Sequence, residues 1–228
     1  PDLAIAVDPR RHAVITAAIA RTLTVRLDEI NGIEPAAAFL AGLLHDLGHL
    51  VLASVVPDPM TGLAESARIR NEEFDETLRR VTGADGGMIG ARVAERWGFP
   101  ESLRGLIARA GRGPAAIPET PHRRLELVVG LADAIARNHG LGAIGRRPGR
   151  SIIREFESAL GLEPGLVEPH LAESLSIATR SAETLGLDRE PLANHLFRRL
   201  GESCAEIDRI RSSGVHSAAP AGESSTTS

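Results

Sequence analysis

Ala38-Phe39-Leu40-Ala41-Gly42-Leu43-Leu44-His45-Asp46-Leu47-Gly48-His49 is the stretch on which the reading of this chain turns. It lies inside the longest apolar run, Ala36 to Val56, which is long enough to raise the question of a membrane span. His45, Asp46 and His49 stand in the middle of that run, and ionisable side chains are costly in hydrocarbon. The run is therefore expected to be a buried helix over 35–55, with Pro35 in its first turn and Pro57 ending it. An ionised carboxylate buried without partners costs several kcal/mol, so Asp46 requires a metal, another cation or hydrogen-bond donors. Capping a neighbouring helix or pairing with a buried Arg would satisfy it equally well.

Outward from this run, turn signals cut the chain into helical blocks, and no stretch alternates with period two. Residues 10–28 place Ile15, Ile19, Leu23 and Leu27 on one helical face. A charged amphipathic block runs from Thr61 to Val81 and is expected to be broken by Gly83, Gly86 and Gly87. Met88 to Trp97 follows, closed by Gly98 and Pro100; then come a short helix over 101–109 and a loop over 111–121. Leu125 to Asn138 is apolar at Leu127, Val128, Leu131 and Ile135, with Gly140 as its stop. Further helical runs are expected at 151–160, 164–184 and 189–211, the last with a stripe of Leu192, Leu196, Leu200, Cys204 and Ile207. The expected organisation is a helical domain over 1–140, a Gly- and Arg-rich connector over 141–150, a helical extension over 151–211 and a disordered tail over 212–228.

Composition agrees with an all-α reading. At about 150 residues per domain, 228 residues make one large domain or a domain with an appendage. Apolar residues at 43% and charged residues at 25% exclude a disordered or collagen-like chain. Aromatic residues make up 3% with no Tyr, so the core must be Leu, Ala, Ile and Val, which favours helix packing. A net charge of −4 gives no footprint for nucleic acid or an anionic membrane. Arg146, Arg147, Arg150 and Arg154 read more readily as a solvated connector than as a phosphate site. One cysteine, Cys204, forms no internal disulfide, and no signal-like segment opens the chain, so a cytoplasmic location is expected. The chain opens on Pro1 without Met, and an upstream segment is expected to be missing.

Two residues outside the central run bear on Asp46. His12 lies near the start of the first helix, and Asp133 stands among Leu131, Ala132 and Ile135. An Asp inside an apolar helix wants an explanation. His12, His45-Asp46 and Asp133, on separate helices, suit a site held between helices of a bundle. Two imidazoles and two carboxylates would take Mn, Fe, Mg or Zn, with water in the open positions. His45 and His49 are also one turn apart, a zinc-like spacing, but no Glu follows the first His as in the metalloprotease helix. His49 is expected to line the rim or to donate a hydrogen bond to a ligand.

From Arg11 to about Ala136 the chain resembles the HD superfamily and, within it, the HDOD (HD-related output domain) group of bacterial signalling proteins. The matching pieces are Arg11-His12-Ala13, Ala38 through Gly48, the Glu-rich segment near Glu72, Gly90 through Glu95-Arg96-Trp97-Gly98-Phe99-Pro100-Glu101, and Leu131-Ala132-Asp133. The resemblance implies an HD-like helical bundle with additional C-terminal helices, and His12, His45, Asp46 and Asp133 as a mononuclear metal set. Relatives with two or three metals carry a further His near Gly86 and a His pair near Ala110 and Gly111, and no residue there can ligate in this chain. The Gly-Tyr-Pro signature of the phosphodiesterase branch is absent too, so two-metal cleavage of cyclic dinucleotides is not expected. The group is generally regarded as having dropped catalysis and as carrying an N-terminal helical half that this chain lacks. The expected function is a regulatory module working through signalling protein partners, the C-terminal stripe serving either self-association or packing on the domain's own core; the alternative is a mononuclear phosphohydrolase acting on a nucleotide or small phosphate ester.

Overall fold

The structure is a computed structural model and describes residues 8–30, 32–141 and 150–167, together with 172, 176, 177 and 180. It is all-α; no strand occurs among the described residues. Helix α1 (Pro9–Arg26) begins where the Asp8 carboxylate accepts from the backbone N–H groups of Arg10 and Arg11, with Pro9 preset for the first turn. Its apolar residues are buried on nearly every side: Ile15, Ile19 and Leu23 have no exposed surface. Only a helix enclosed by neighbours can bury so much of its circumference, and α1 lies between α2 (Pro35–Leu44) and α8 (Arg123–Asn138). Helix α8 adds Leu127, Val128, Leu131 and Ile135 to the same aliphatic core and ends at Gly140, whose φ of +68° is open to glycine at little cost. Helix α9 (Arg150–Leu160) packs the Phe156 ring against Gly130 of α8, where a Cβ would stand 2.5 Å from it.

The single helix expected over 35–55 is two helices. Helix α2 stops at Leu44, α3 runs Leu47–Val55, and the pair is bent by 43°. Asp46 leaves helical geometry at φ −103°, ψ 30°, and the His45 ring turns back on the Gly42 carbonyl at 2.7 Å. The run is not buried throughout either, since Leu40 is 52% and Val55 72% exposed. No described helix is long and apolar enough to cross a membrane.

The block expected from Thr61 to Val81 is likewise two helices, α4 (Pro57–Arg70) and α5 (Phe74–Thr82), parted by Asn71 in the left-handed region at φ 53°. Pro57, which ends the apolar run, also opens α4 as its first residue. Gly83 ends α5, but Gly86 and Gly87 do not break anything: they begin α6 (Gly86–Arg96), whose first turn is capped by Asp85 accepting from the Met88 N–H. Helix α7 (Glu101–Ala108) follows the Trp97–Phe99 edge contact, and the loop after it holds a short 3-10 turn at Pro114–Ala116. Met60, Phe74 and Leu78 form a small second core beneath the α4–α5 hairpin. Of the helix expected over 164–184, residues 164–167 form turns, 172, 176, 177 and 180 are helical, and the others lie outside the described residues, as do the expected helix over 189–211 with its stripe and Cys204, the tail and nearly all of the connector.

Candidate metal centre

The first turn of α1, the α2–α3 break and the middle of α8 meet at one point, and each delivers polar side chains there. His12 Nε2 lies 3.0 Å from Asp133 Oδ1 and 3.9 Å from Asp46 Oδ2. His45 Nε2 lies 3.7 Å from Asp133 Oδ1 and 3.9 Å from Asp46 Oδ2. Ligand atoms of His12, His45 and Asp46 all fall within 4.8 Å of one another. Three of the four side chains are buried, and Asp46 is 20% exposed. Ligands held at about 2.1 Å from a common ion stand roughly 3 to 3.5 Å apart, so the imidazole–carboxylate distances of 3.0 to 3.9 Å are close to those of a bound set.

Hydrogen-bond direction sharpens this. The His45 Nδ1–H donates to the Gly42 carbonyl, which leaves the lone pair on Nε2. That buried Nε2 finds no hydrogen-bond partner among the described residues and faces two carboxylates. A buried orphan nitrogen aimed at carboxylate oxygens is what a cation would satisfy. His12 is in a related position: its Nδ1 lies 3.3 Å from the Leu141 carbonyl and its Nε2 meets Asp133, and both partners are acceptors. A neutral ring can donate to only one of them.

Without a cation, charge pairing organises the cluster. Burial by itself would depress the His45 pKa, but the Asp46 and Asp133 carboxylates outweigh it and raise it. Burial would likewise push Asp46 up, yet His49 and His45 hold its carboxyl far below the ordinary range. Asp133 is also held well below that range, against burial, by His12, His45 and Arg137.

The closest partner of Asp46 is neither His12 nor His45. It is His49, whose Nδ1 lies 3.0 Å from Asp46 Oδ1. The zinc-like pairing of His45 with His49 does not form, because the helix breaks between them and His49 turns to the opposite side of Asp46. Its other nitrogen lies 3.0 Å from Asp75 Oδ1. Both contacts need N–H donors, and against burial the two carboxylates raise the His49 pKa well above the usual imidazole value. Asp75, Arg137 and Glu73 carry no sequence signal of their own: Asp75 is one acid among several at the start of a short helix. Asp75 also accepts from the Gly86 N–H at 2.8 Å, and Arg137 joins Glu73 at 2.7 Å to Asp133 at 3.9 Å.

Little space adjoins these groups. A cavity of about 20 Å³ is lined by His45, Asp133, Glu126, Arg109, Arg112 and neighbouring residues, room for roughly one water. Arg109 closes on Glu126 through two bonds of 2.9 and 2.7 Å. On the other side, α3 and α6 touch backbone to backbone. A Cβ on Gly48 would stand 1.9 Å from the Gly86 carbonyl oxygen, and one on Gly86 would meet the His49 ring at 2.3 Å. The direction a side chain at position 86 would take is thus filled by the His49 ring.

The helical bundle thus gathers His12, His45 with Asp46, and Asp133 from three places in the fold. Residues 5–112 match the HDOD domain family. Asp133 lies beyond the matched span. Three solved structures share the fold. An HDOD domain protein of unknown function from Geobacter sulfurreducens superposes with a TM-score of 0.62 at 20% identity, over 76% of this chain and 61% of that one. A proposed signal transduction protein from Marinobacter aquaeolei VT8 gives 0.61 at 23% identity, over 79% and 39%. A proposed phosphohydrolase from Shewanella amazonensis SB2B gives 0.54 at 20% identity, over 76% and 63%. The chain thus spans between 39% and 63% of the length of these structures. No curated protein matches it.

Proposed function

We propose that this chain is a signal-transduction module of the HDOD kind, cytoplasmic and bacterial, which works through contacts with signalling proteins and not through catalysis. His12, His45, Asp46 and Asp133 would hold one divalent cation, Mn, Fe, Mg or Zn. Such an ion supplies a fixed double charge between the carboxylates and lowers the pKa of any water it binds. The observation that carries the non-catalytic reading is the cavity of about 20 Å³ beside His45 and Asp133. A nucleotide or phosphate ester needs a pocket of several hundred Å³, and the Arg109–Glu126 pair lines this small one. Within this reading, residues 1–140 form the responding domain, and the apolar stripe of 189–211 is the segment for self-association.

The second reading, a mononuclear phosphohydrolase, is favoured by one feature: the orphan Nε2 of His45 in a complete His/Asp set. Hydrolysis assays separate the two. The full chain loaded with Mn2+ is offered nucleoside mono- and diphosphates, cyclic dinucleotides and p-nitrophenyl phosphate beside its Asp46→Asn variant. No turnover above that of the variant is expected. Turnover that the wild type shows and Asp46→Asn lacks would establish the enzyme and overturn the module.

A further inference from the structure

Two chains of polar contacts leave the His/Asp cluster in different directions and arrive at the same turn of the fold. The first runs from Asp46 Oδ1 to His49 Nδ1 at 3.0 Å and from His49 Nε2 to Asp75 Oδ1 at 3.0 Å. The second runs from Asp133 Oδ2 to Arg137 at 3.9 Å and from Arg137 to Glu73 Oε2 at 2.7 Å. Glu73 is the residue that precedes α5, and Asp75 is the second residue of that helix. Both carboxylates of the candidate cation site are therefore backed, through one intervening cation each, by the opening turn of a single helix.

The geometry also divides the labour of each carboxylate. On Asp46, Oδ1 is taken by His49 while Oδ2 faces the Nε2 atoms of His12 and His45. On Asp133, Oδ2 faces Arg137 and Oδ1 faces the two imidazoles. In each case the outer partner fixes the rotation that presents the remaining oxygen inward. The α4–α5 hairpin has a small core in Met60, Phe74 and Leu78, against which Leu52 and Ala53 of α3 and Ile89 of α6 also pack, and Phe74 meets His49 edge to face at 5.3 Å. The polar contacts that join α5 to the His/Asp cluster are those at its first turn.

We propose that Asp75, acting through His49, and Glu73, acting through Arg137, are positioning residues for the cation site, and that cation occupancy is relayed by them to the α4–α5 hairpin. The inference rests on the cation-binding reading given above and supplies its regulatory output. A divalent ion draws Oδ2 of Asp46 and Oδ1 of Asp133 toward itself. His49 and Arg137 follow the other oxygen of each, and the start of α5 moves with them or is released. Partners of a metal ligand are expected to change metal affinity by about ten- to a hundredfold when removed.

The test uses the full chain stripped with chelator. Mn2+ is titrated calorimetrically into wild type, Asp75→Asn, Glu73→Gln and a control, Glu65→Gln, whose carboxylate pairs on its own helix with Arg68. Hydrogen exchange over residues 74–82 is recorded with and without saturating Mn2+. Expected are wild-type binding with a change in α5 exchange, affinity weakened about tenfold or more in Asp75→Asn and Glu73→Gln, a smaller Mn2+-dependent exchange change in both, and a control that matches wild type. Wild-type affinity in both variants, or α5 exchange in the wild type indifferent to bound Mn2+, overturns the relay and leaves cation binding standing. A wild type that takes up no Mn2+ overturns both. The wild-type exchange comparison needs no variant, so it decides even if a substitution unfolds the chain.

Discussion

A methyl group at position 48 would have to share space with the carbonyl oxygen of Gly86, 1.9 Å away, and with the Gly90 N–H, 2.9 Å away. Neither is a side chain that can swing aside, so Gly48→Ala must push α3 and α6 apart. A loss of about 2 to 3 kcal/mol is expected, the usual cost of overpacking, in spite of alanine's better helix propensity. Gly62, inside α4, meets nothing within 4 Å, and Gly62→Ala is expected to add roughly 1 kcal/mol. Urea denaturation of the two variants beside wild type checks the pair, and equal stabilities would refute the close backbone contact. The same scale shows what could be read without coordinates. Asp46 and Asp133 stood out because each is a carboxylate among apolar neighbours, and the demand for a partner is local. Who the partner is depends on where a helix breaks. That is why His49 could be placed near the site but not against Asp75, and why Arg137 drew no attention in a chain with many arginines.

Among the elements, α1 and α8 were legible to within a few residues, because their apolar positions repeat with helical spacing and a cap or a glycine marks their ends. The α2–α3 break was not. Hydropathy is continuous across it, and the local event is a dihedral change at Asp46 that periodicity does not record. The α4–α5 division hid for a similar reason, since Asn71 in the left-handed region looks like any polar residue in a charged helix. Gly86 and Gly87 were misjudged in the other direction: glycine was taken as a breaker where close contact with α3 and α7 requires its missing side chain. The division of cores has a dynamic consequence. Amides of α5, beneath which only the small Met60–Phe74–Leu78 cluster lies, should exchange faster than those of α1 and α8 in the aliphatic core. Exchange mass spectrometry on the chelated protein measures this, and equal protection across all three helices would contradict a weaker second core.

For the whole molecule, a ligand that binds the folded chain alone must stabilise it. With Mn2+ at a hundred times its dissociation constant the gain is about 2.7 kcal/mol, and for a chain of this size that raises the melting temperature by roughly 5 to 10 °C. Thermal scans in chelator and in Mn2+ should differ by that amount in the wild type and hardly at all in Asp46→Asn; coincident wild-type scans would remove the cation from the account. The bond from the His12 ring to the Leu141 carbonyl has a different kind of consequence. It joins the first turn of α1 to the residue just past α8, so the polypeptide enters and leaves the eight-helix unit at neighbouring points. A unit with adjacent ends can be spliced between two parts of a larger protein without holding them apart, and here those ends lie against the His/Asp cluster. Tension or torsion between flanking parts would reach that cluster first.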